Sequence, residues 1–185
     1  MIIKSLLLIL ISSFLYLSYL GISKNTPLKF TAAIEIKQSL EKTIELWKDK
    51  NNYQYWQDGF ISKELLEGKE GEVGAVFLIK LDFRGDIMEL TETVQISELP
   101  NEFKVLVEHK HMHNTLSSKF TKVDENTTLW TAEIDYFKVN FWPAKIMMKM
   151  FPTMFKKQGQ KWSKNFKKFS EGKKIPTEKA MHRQL

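Results

Sequence analysis

Apolar and polar residues alternate along most of the middle of the chain. Six segments with a period of two follow one another from Phe60 to Phe137, and a seventh, LKFTAAIEI, lies near the N-terminus. This period is typical of β-strands that bury one face. The separators between the six segments are short and rich in Gly, Pro, Asn and Asp, which are the residues of turns between antiparallel strands. The pattern therefore predicts a seven-stranded antiparallel sheet.

Two short helices are predicted between the first and second strands. Ser39 is a suitable N-cap for the segment 40–50, whose apolar residues share one helical face. Asn51 and Asn52 interrupt this helix, and the following YQYWQDG is predicted to form a second short helix or turn that ends at Gly59.

A long helix is predicted at residues 142–169. Its apolar residues recur at steps of three, four or seven, and lysines fill most of the positions between them, so that one face is apolar and the other cationic. Pro152 removes a backbone hydrogen bond and is expected to kink or split the helix just after Phe151. The order of elements predicts an α+β fold in which this helix covers the sheet. The apolar face contains Phe151, Phe155, Trp162, Phe166 and Phe169, with Met147, Met148, Met150 and Met154 beside them.

The strand phase indicates which side chains point toward the interior. The predicted inward residues are Phe77, Ile79, Leu81, Phe83, Met88, Leu90, Val94, Ile96, Trp130, Ala132, Ile134 and Tyr136. Glu92 lies in the same phase as its apolar neighbours on the strand. A carboxyl group enclosed by apolar residues can act as an acid or orient a ligand hydroxyl. The alternative, which we favour, is a structural glutamate that bonds a neighbouring strand Thr, His or backbone group.

Three of the four histidines, His109, His111 and His113, lie at alternate positions of a predicted strand. On one strand they would share a face at separations of about 6.5 to 7 Å, and two such neighbours can bind a divalent metal. No H-x-x-E motif accompanies them. We therefore favour ordinary strand histidines, with a polar cavity wall as the next interpretation. His109 and His111 continue the phase of Val105 and Val107 and are expected to face the interior.

The N-terminus is strongly apolar. Leu6 and Leu20 bound a segment that contains only Leu, Ile, Phe, Tyr and Ser, with Lys4 before it and Lys24 after it. This length is short for a membrane span and long for the core of a signal peptide. We favour an uncleaved signal anchor at residues 1–23, and hence a single-pass membrane protein. Cleavage would instead yield a secreted or periplasmic protein, and the balanced flanking charges leave the membrane side open.

Charge is distributed unevenly along the 185 residues. The formal net charge is +6, but residues 24–137 contain 14 basic and 20 acidic side chains, whereas residues 138–185 contain 13 basic and 2 acidic ones. The basic segment is suited either to an anionic partner, such as a phospholipid surface, or to a solvated face over an acidic body. Nucleic-acid binding is not predicted, since no recognisable module or stacking platform accompanies the lysines. The absence of Cys excludes disulfides, zinc-thiolate sites and thiol nucleophiles.

Several segments in their order resemble the START-like (SRPBCC) superfamily. They are KFTAAIEIKQSLEKTIELW, the pair Tyr55 and Trp56 followed by Gly59, MELTETV, ISELPNEF and MFKKQGQKWSKNFKKFSEG. The resemblance covers nearly all of residues 28–171. It implies a helix-grip fold, in which a strongly curved sheet wraps around the C-terminal helix and leaves a cavity for an apolar ligand. We accordingly expect a ligand-binding domain at residues 24–171 and a polar tail at 172–185.

These observations together predict a membrane-tethered protein that binds a hydrophobic small molecule or lipid. The membrane contact is expected at the segment from Leu6 to Leu20, with the basic helix as a second contact. The alternative is a cyclase-like or dehydratase-like enzyme that uses Glu92 and a cavity histidine, His109 or His111. No metal or cofactor is predicted. The expected ligand-binding residues are Phe77, Ile79, Leu81, Phe83, Met88, Leu90, Glu92, Val94, Val107, His109, His111, Trp130, Ile134, Tyr136, Met147, Phe151, Met154 and Phe155.

Overall fold

The computed structural model describes residues 2–22, 28–83 and 85–173. Its helices are α1 (Ile2–Ile22), α2 (Leu40–Lys48), α3 (Tyr53–Trp56), α4 (Trp142–Met150) and α5 (Pro152–Ser170), with a short 3-10 turn at Lys50–Asn52. Its strands are β1 (Leu28–Ile36), β2 (Phe60–Glu67), β3 (Val76–Phe83), β4 (Asp86–Glu98), β5 (Glu102–His109), β6 (Met112–Asp124) and β7 (Thr127–Val139).

The seven strands form one antiparallel sheet in the order β1-β7-β6-β5-β4-β3-β2. Each of the strands from β2 to β6 pairs with the next one along the chain, and β1 pairs with β7. The sheet is curved, and α5 packs against it near β1. The predicted α+β class and helix-grip arrangement are confirmed.

Local sequence signals account for the helix boundaries. Ser39 caps α2, because its side chain accepts a hydrogen bond from the backbone N–H of Lys42 at 3.3 Å. Pro152 separates α4 from α5, and Phe151 between them has the non-helical backbone angles φ −132° and ψ 54°. The predicted cap and the predicted break after Phe151 are both confirmed.

Aromatic contacts hold the C-terminal half of α5 on the sheet. Phe166 is completely buried, and its ring centroid lies 5.4 Å from that of Trp56 and 5.3 Å from that of Trp130. Gly159, two turns earlier, lets the helix backbone approach the sheet closely, because a Cβ atom there would lie 3.1 Å from side chains of β1 and β7. The helix is therefore fixed both by its rings and by a close backbone approach.

A carboxylate ties the end of α5 to the end of β1. Glu171 accepts hydrogen bonds from Nζ of Lys167 at 2.7 Å, the backbone N–H of Lys37 at 2.9 Å and Nζ of Lys173 at 3.0 Å. Burial by itself would raise the pKa of the Glu171 carboxyl, but these hydrogen bonds outweigh it and lower the pKa to about 2. The ionised form of Glu171 therefore stabilises the fold.

Glu171→Gln is expected to lower the free energy of unfolding by roughly 1–2 kcal/mol at pH 7. Since the folded pKa lies below the ordinary value of 4.5, the contribution is complete above pH 4.5 and is lost as the pH falls toward 2. Urea unfolding of both proteins across this range measures the difference. The control is Glu125→Gln, which removes a carboxyl that is 85% exposed. A difference for Glu171→Gln that stays constant down to pH 2 would contradict the assignment.

Helix α1 lies against α4 and directs apolar side chains outward. Leu8, Phe14 and Tyr19 are 67%, 70% and 67% exposed. Among the helices that the structure describes, none is both long enough and apolar enough to cross a membrane. The predicted end of the anchor at residue 23 lies outside the described residues, as does the predicted polar tail beyond Lys173.

Candidate functional site

The side chains on the inner face of the sheet differ in burial. The predicted inward residues that are buried are Phe77, Ile79, Leu81, Glu92, Val94, Trp130 and Ala132. Those that remain half-buried are Met88, Leu90, Val107, Ile134 and Tyr136. The inward prediction for Ile96 is wrong, because the pairing of β4 with β5 shifts between Val94 and Ile96 and places Ile96 opposite Lys104 on the other face. The side chain of Phe83 lies outside the described residues. The inner face therefore combines fully buried side chains with apolar side chains that keep some contact with solvent.

An ion pair lies on this inner face. Glu92 on β4 is directly opposite Phe77 on β3 and Val107 on β5. Its Oε1 accepts a hydrogen bond from Nζ of Lys63 on β2 at 2.6 Å. The side chains of Lys63 and Glu92 are only 8% and 11% exposed. The pair thus places two opposite charges in an otherwise apolar wall.

Aromatic rings surround the ammonium group of Lys63. Its Nζ lies 4.4 Å from the ring centroid of Phe77 and 5.2 Å from that of Tyr53, which are distances of cation–π attraction. Burial by itself would lower the pKa of Lys63, but the charge of Glu92 and hydrogen bonds with Glu92 and Tyr53 outweigh it, so the pKa is raised. Burial also raises the pKa of Tyr53. At neutral pH Lys63 is therefore a cation and Tyr53 a neutral phenol.

The sequence predicted that Glu92 points inward but did not identify Lys63 as its partner. Strand β2 is irregular between Phe60 and Ser62, where its pairing with β3 shifts by one residue. Such a bulge moves the residues that follow to the opposite face. Lys63 therefore lies opposite the inward-facing Ile79. Strict alternation places Phe60 and Lys63 on different faces, so only the position of the bulge would have revealed the cation.

The pair can orient a polar group of a bound molecule. An ammonium group has three donors, of which Glu92 takes one. A carboxylate has about four acceptor sites, and Lys63 uses one oxygen of Glu92. A ligand hydroxyl or amide can therefore donate to Glu92 while its apolar body contacts the half-buried wall. Since Glu92 already neutralises a cation, the geometry suits positioning better than proton transfer.

The histidines do not lie on one strand, and that prediction is wrong. β5 ends at His109, the chain turns at Lys110 and His111, and His113 belongs to β6. Only His109 continues the inward phase of β5. His111 instead packs on Phe141, with ring centroids 4.6 Å apart. The turn was missed because it contains none of the Gly, Asn, Asp or Pro residues that usually mark a hairpin.

Each of these three histidines has a local partner. His109 accepts a hydrogen bond from the backbone N–H of His111 at 3.4 Å, and burial lowers the pKa of His109, as do the nearby His111 and Lys110. Nδ1 of His113 lies 2.9 Å from a carboxylate oxygen of Glu108. In the part of the chain that the structure describes, no three His, Asp or Glu side chains are grouped closely enough to hold a metal ion.

Met147, Phe151 and Met154 face outward, contrary to the prediction that they line the interior, whereas Met148 is buried. Met147, Phe151 and Met154 are 37%, 48% and 52% exposed. Phe155 is half-buried, and its ring packs edge-on against that of Tyr136 at 5.9 Å. The helix is interrupted at Phe151. The residue spacing that defines the apolar face of α5 therefore does not predict which side chains of α4 face the interior.

Solved structures share this fold at low sequence identity. The TM-score is 0.65 with a conserved protein from Geobacillus kaustophilus, at 18% identity over 78% of this chain and 96% of that one. It is 0.64 with the Zhui aromatase/cyclase from Streptomyces sp. R1128, at 12% identity over 79% and 94% of the two chains. It is 0.55 with a START superfamily protein from Mycobacterium smegmatis, at 12% identity over 71% and 94%.

No family model matches the sequence, and no protein of curated function matches it. The solved structures nonetheless agree with the architecture described above. The chain therefore has the START-like fold that the sequence predicted.

Proposed function

We propose that the protein binds a hydrophobic small molecule or lipid between the sheet and α5, with the pair of Lys63 and Glu92 holding a polar group of that ligand. The observation that carries the proposal is the position of this buried pair beside the half-buried apolar residues of the inner face. The shared fold with a START superfamily protein and an aromatase/cyclase supports an interior that accepts organic molecules.

The energetics of the ion pair support a binding role. Taking two charges out of water costs several kcal/mol per ion, and apolar residues of similar volume often stabilise a core as well or better. Leucines at the positions of Lys63 and Glu92 would therefore give the fold about as much stability as the ion pair does. A ligand polar group gains from them, because a hydrogen bond to a charged group is worth more away from water.

A cyclase-like or dehydratase-like activity has less support. Such chemistry would use Glu92 with a histidine of the interior, and of the three neighbouring histidines only His109 shares the inner face of β5. Glu92 is already engaged by Lys63 at 2.6 Å, which leaves no free acid and base pair among these residues. Binding therefore accounts for the geometry with fewer assumptions.

The proposal includes attachment to a membrane. The apolar segment from Leu6 to Leu20 lies within α1, whose described side chains are mostly exposed. Exposed apolar side chains on this scale favour a lipid or protein surface over water. The lysines of α5 provide a second contact, because their positive charges attract an anionic bilayer. A protein held at a membrane in this way has direct access to hydrophobic ligands.

The binding proposal predicts that Leu90→Trp removes a bound apolar molecule. Leu90 is half-buried on the inner face of β4, so an indole there fills the space beside Glu92. The full chain is purified, extracted with organic solvent and examined by mass spectrometry. The matched control is Ile87→Trp on the same strand, because Ile87 is 67% exposed.

We expect a molecule that is retained by the wild type and the control and depleted at least about tenfold in Leu90→Trp, since a blocked pocket loses most of its apolar contact. Bulk lipid carried along by α1 appears equally in all three proteins. Equal extracts from the three proteins would contradict binding in the interior.

A further inference from the structure

A cationic cleft lies on the outer side of α5. Lys157, Lys161, Lys164 and Lys168 line it, and its volume is about 700 Å³. The four lysines are spaced by four, three and four residues, which places them on one face of the helix. The opposite face carries Phe166 against the sheet. The cleft is therefore separate from the inner face that carries Glu92.

The floor of the cleft is held in place by polar contacts. Nδ2 of the buried Asn165 donates to the backbone carbonyl of Trp56 and to Oδ1 of Asp58, each at 3.3 Å. The other carboxylate oxygen of Asp58 lies 2.7 Å from Nζ of Lys161. One lysine is thus positioned by an acid. Among the described residues, the other three have no acidic partner, so the cleft has a net positive charge.

The clustered positive charges do not stabilise α5. Like charges at spacings of three and four residues destabilise a helix by about 0.2–0.5 kcal/mol per pair. The group of Lys157, Lys161, Lys164 and Lys168 therefore opposes the stability of α5 until an anion neutralises it. A cleft with four lysines and little acid is suited to phosphate groups.

The outer face of α5 continues into an exposed apolar surface. Met154 precedes Lys157 by three residues and lies on the same face, where it is 52% exposed. Met150 and Phe151, just before α5, are each 48% exposed, and Trp142 at the start of α4 is 61% exposed. Apolar side chains beside a row of lysines are typical of elements that lie in the interface of an anionic membrane.

We propose that this cleft binds the phosphate-bearing headgroup of an anionic phospholipid, while the exposed side chains of α4 and the start of α5 enter the acyl region. The choice of a lipid over a soluble phosphate rests on the proposed membrane attachment. The lining supports lipid over nucleic acid, because it contains no aromatic ring on which a base can stack.

The test compares two triple variants of the full chain with equal charge. The cleft variant is Lys157→Gln, Lys164→Gln and Lys168→Gln. It leaves Lys161, which is paired with Asp58, unchanged. The control variant is Lys69→Gln, Lys119→Gln and Lys122→Gln, whose lysines are exposed on other parts of the surface. Flotation with phosphatidylcholine vesicles, with and without phosphatidylserine, measures the preference for anionic lipid at low and high salt.

The cleft variant is expected to lose this preference by about tenfold to a hundredfold at low salt, whereas the control keeps most of it. Binding to neutral vesicles through α1 should be equal in all proteins. Equal losses in both variants would overturn the proposal, since the effect would then follow net charge alone. The molecule extracted from the interior serves as a separate readout, so that failure here is distinguishable from failure of ligand binding.

Two competitors distinguish other occupants of the cleft. Inorganic pyrophosphate that binds the wild type but not the cleft variant, without any change in vesicle preference, would assign the cleft to a soluble phosphate and overturn the lipid proposal. A single-stranded oligonucleotide that binds in the same selective manner and displaces the vesicles would also overturn it. Neither competitor is expected to distinguish the control variant from the wild type.

Discussion

Lys63→Met is expected to lower the free energy of unfolding by about 3–5 kcal/mol. Methionine preserves much of the length of the side chain but removes its charge, so Glu92 is left in the apolar wall without the cation that now lies at 2.6 Å. Tyr53 also loses the cation that lies 5.2 Å from its ring centroid. Urea unfolding at pH 7, followed by tryptophan fluorescence, measures the loss. A loss below about 1 kcal/mol would mean that the carboxylate is adequately solvated without Lys63.

A double-mutant cycle separates the pair from the two side chains taken singly. Glu92→Gln alone should also destabilise the protein, and the double variant should cost less than the sum of the single ones, with a coupling of about 2–3 kcal/mol. The control cycle uses Lys69→Met and Glu72→Gln, because that pair has the same distance of 2.6 Å but is 78% and 59% exposed. Its coupling should stay below about 1 kcal/mol. Equal coupling in the two cycles would contradict the importance of burial.

The sign of the pH dependence follows from the pKa of Lys63. Because this pKa is raised in the folded protein, the contribution of the pair is complete below the ordinary lysine pKa and is lost as the pH rises through the higher folded value. The stability difference between the wild type and Lys63→Met should therefore be constant near neutral pH and diminish only in strongly alkaline solution.

The sheet and the helices were predictable because their signals are local. Alternation with a period of two follows from burial of one face, and the hairpins from β2 to β5 are marked by Gly, Pro or Asn in the turns. Ser39 and Pro152 act on the hydrogen bonds of their own helix termini, so their effects can be read without knowing the tertiary structure. The α+β class and the break before α5 follow from such features.

The side chains that lie on the inner face were only partly predictable, because they depend on the pairing register of the strands. The phase of β4 was sufficient to place Glu92 inside. Its partner Lys63 lies on a strand whose pairing shifts after Phe60, and nothing in the local sequence marks that shift. The turn at Lys110 and His111 likewise lacks turn residues, so the histidines were assigned to one strand. Errors of one residue exchange the two faces of a strand.

The outward direction of α4 depends on contacts that are distant in sequence. Helical spacing grouped Met147 with Met154 and Phe155 on one face, but the break at Phe151 reorients α4, and α1 then packs against it. An amphipathic pattern identifies which residues share a face, not which surface that face meets. Met147, Met150 and Met154, which are 37%, 48% and 52% exposed, therefore do not form a cavity wall.

Phe166→Ala is expected to destabilise the protein by about 3–5 kcal/mol, which is the usual cost of removing a buried phenyl ring. Phe166 is completely buried and joins α5 to Trp56 and to Trp130 of β7. Its loss leaves a cavity at the point where the helix is held on the sheet. The free energy of unfolding in urea measures the effect, and hydrogen exchange of α5 shows whether the helix separates first.

The matched control is Phe137→Ala on β7, because Phe137 is 43% exposed and its removal should cost about 1 kcal/mol or less. Comparing the two variants keeps the chemical change constant and varies only the burial. If α5 is held mainly by Phe166, its amides should lose protection before those of β6 and β7, since fewer contacts then oppose local opening. Equal costs for the two variants, or uniform loss of protection throughout the sheet, would show that the helix is held elsewhere.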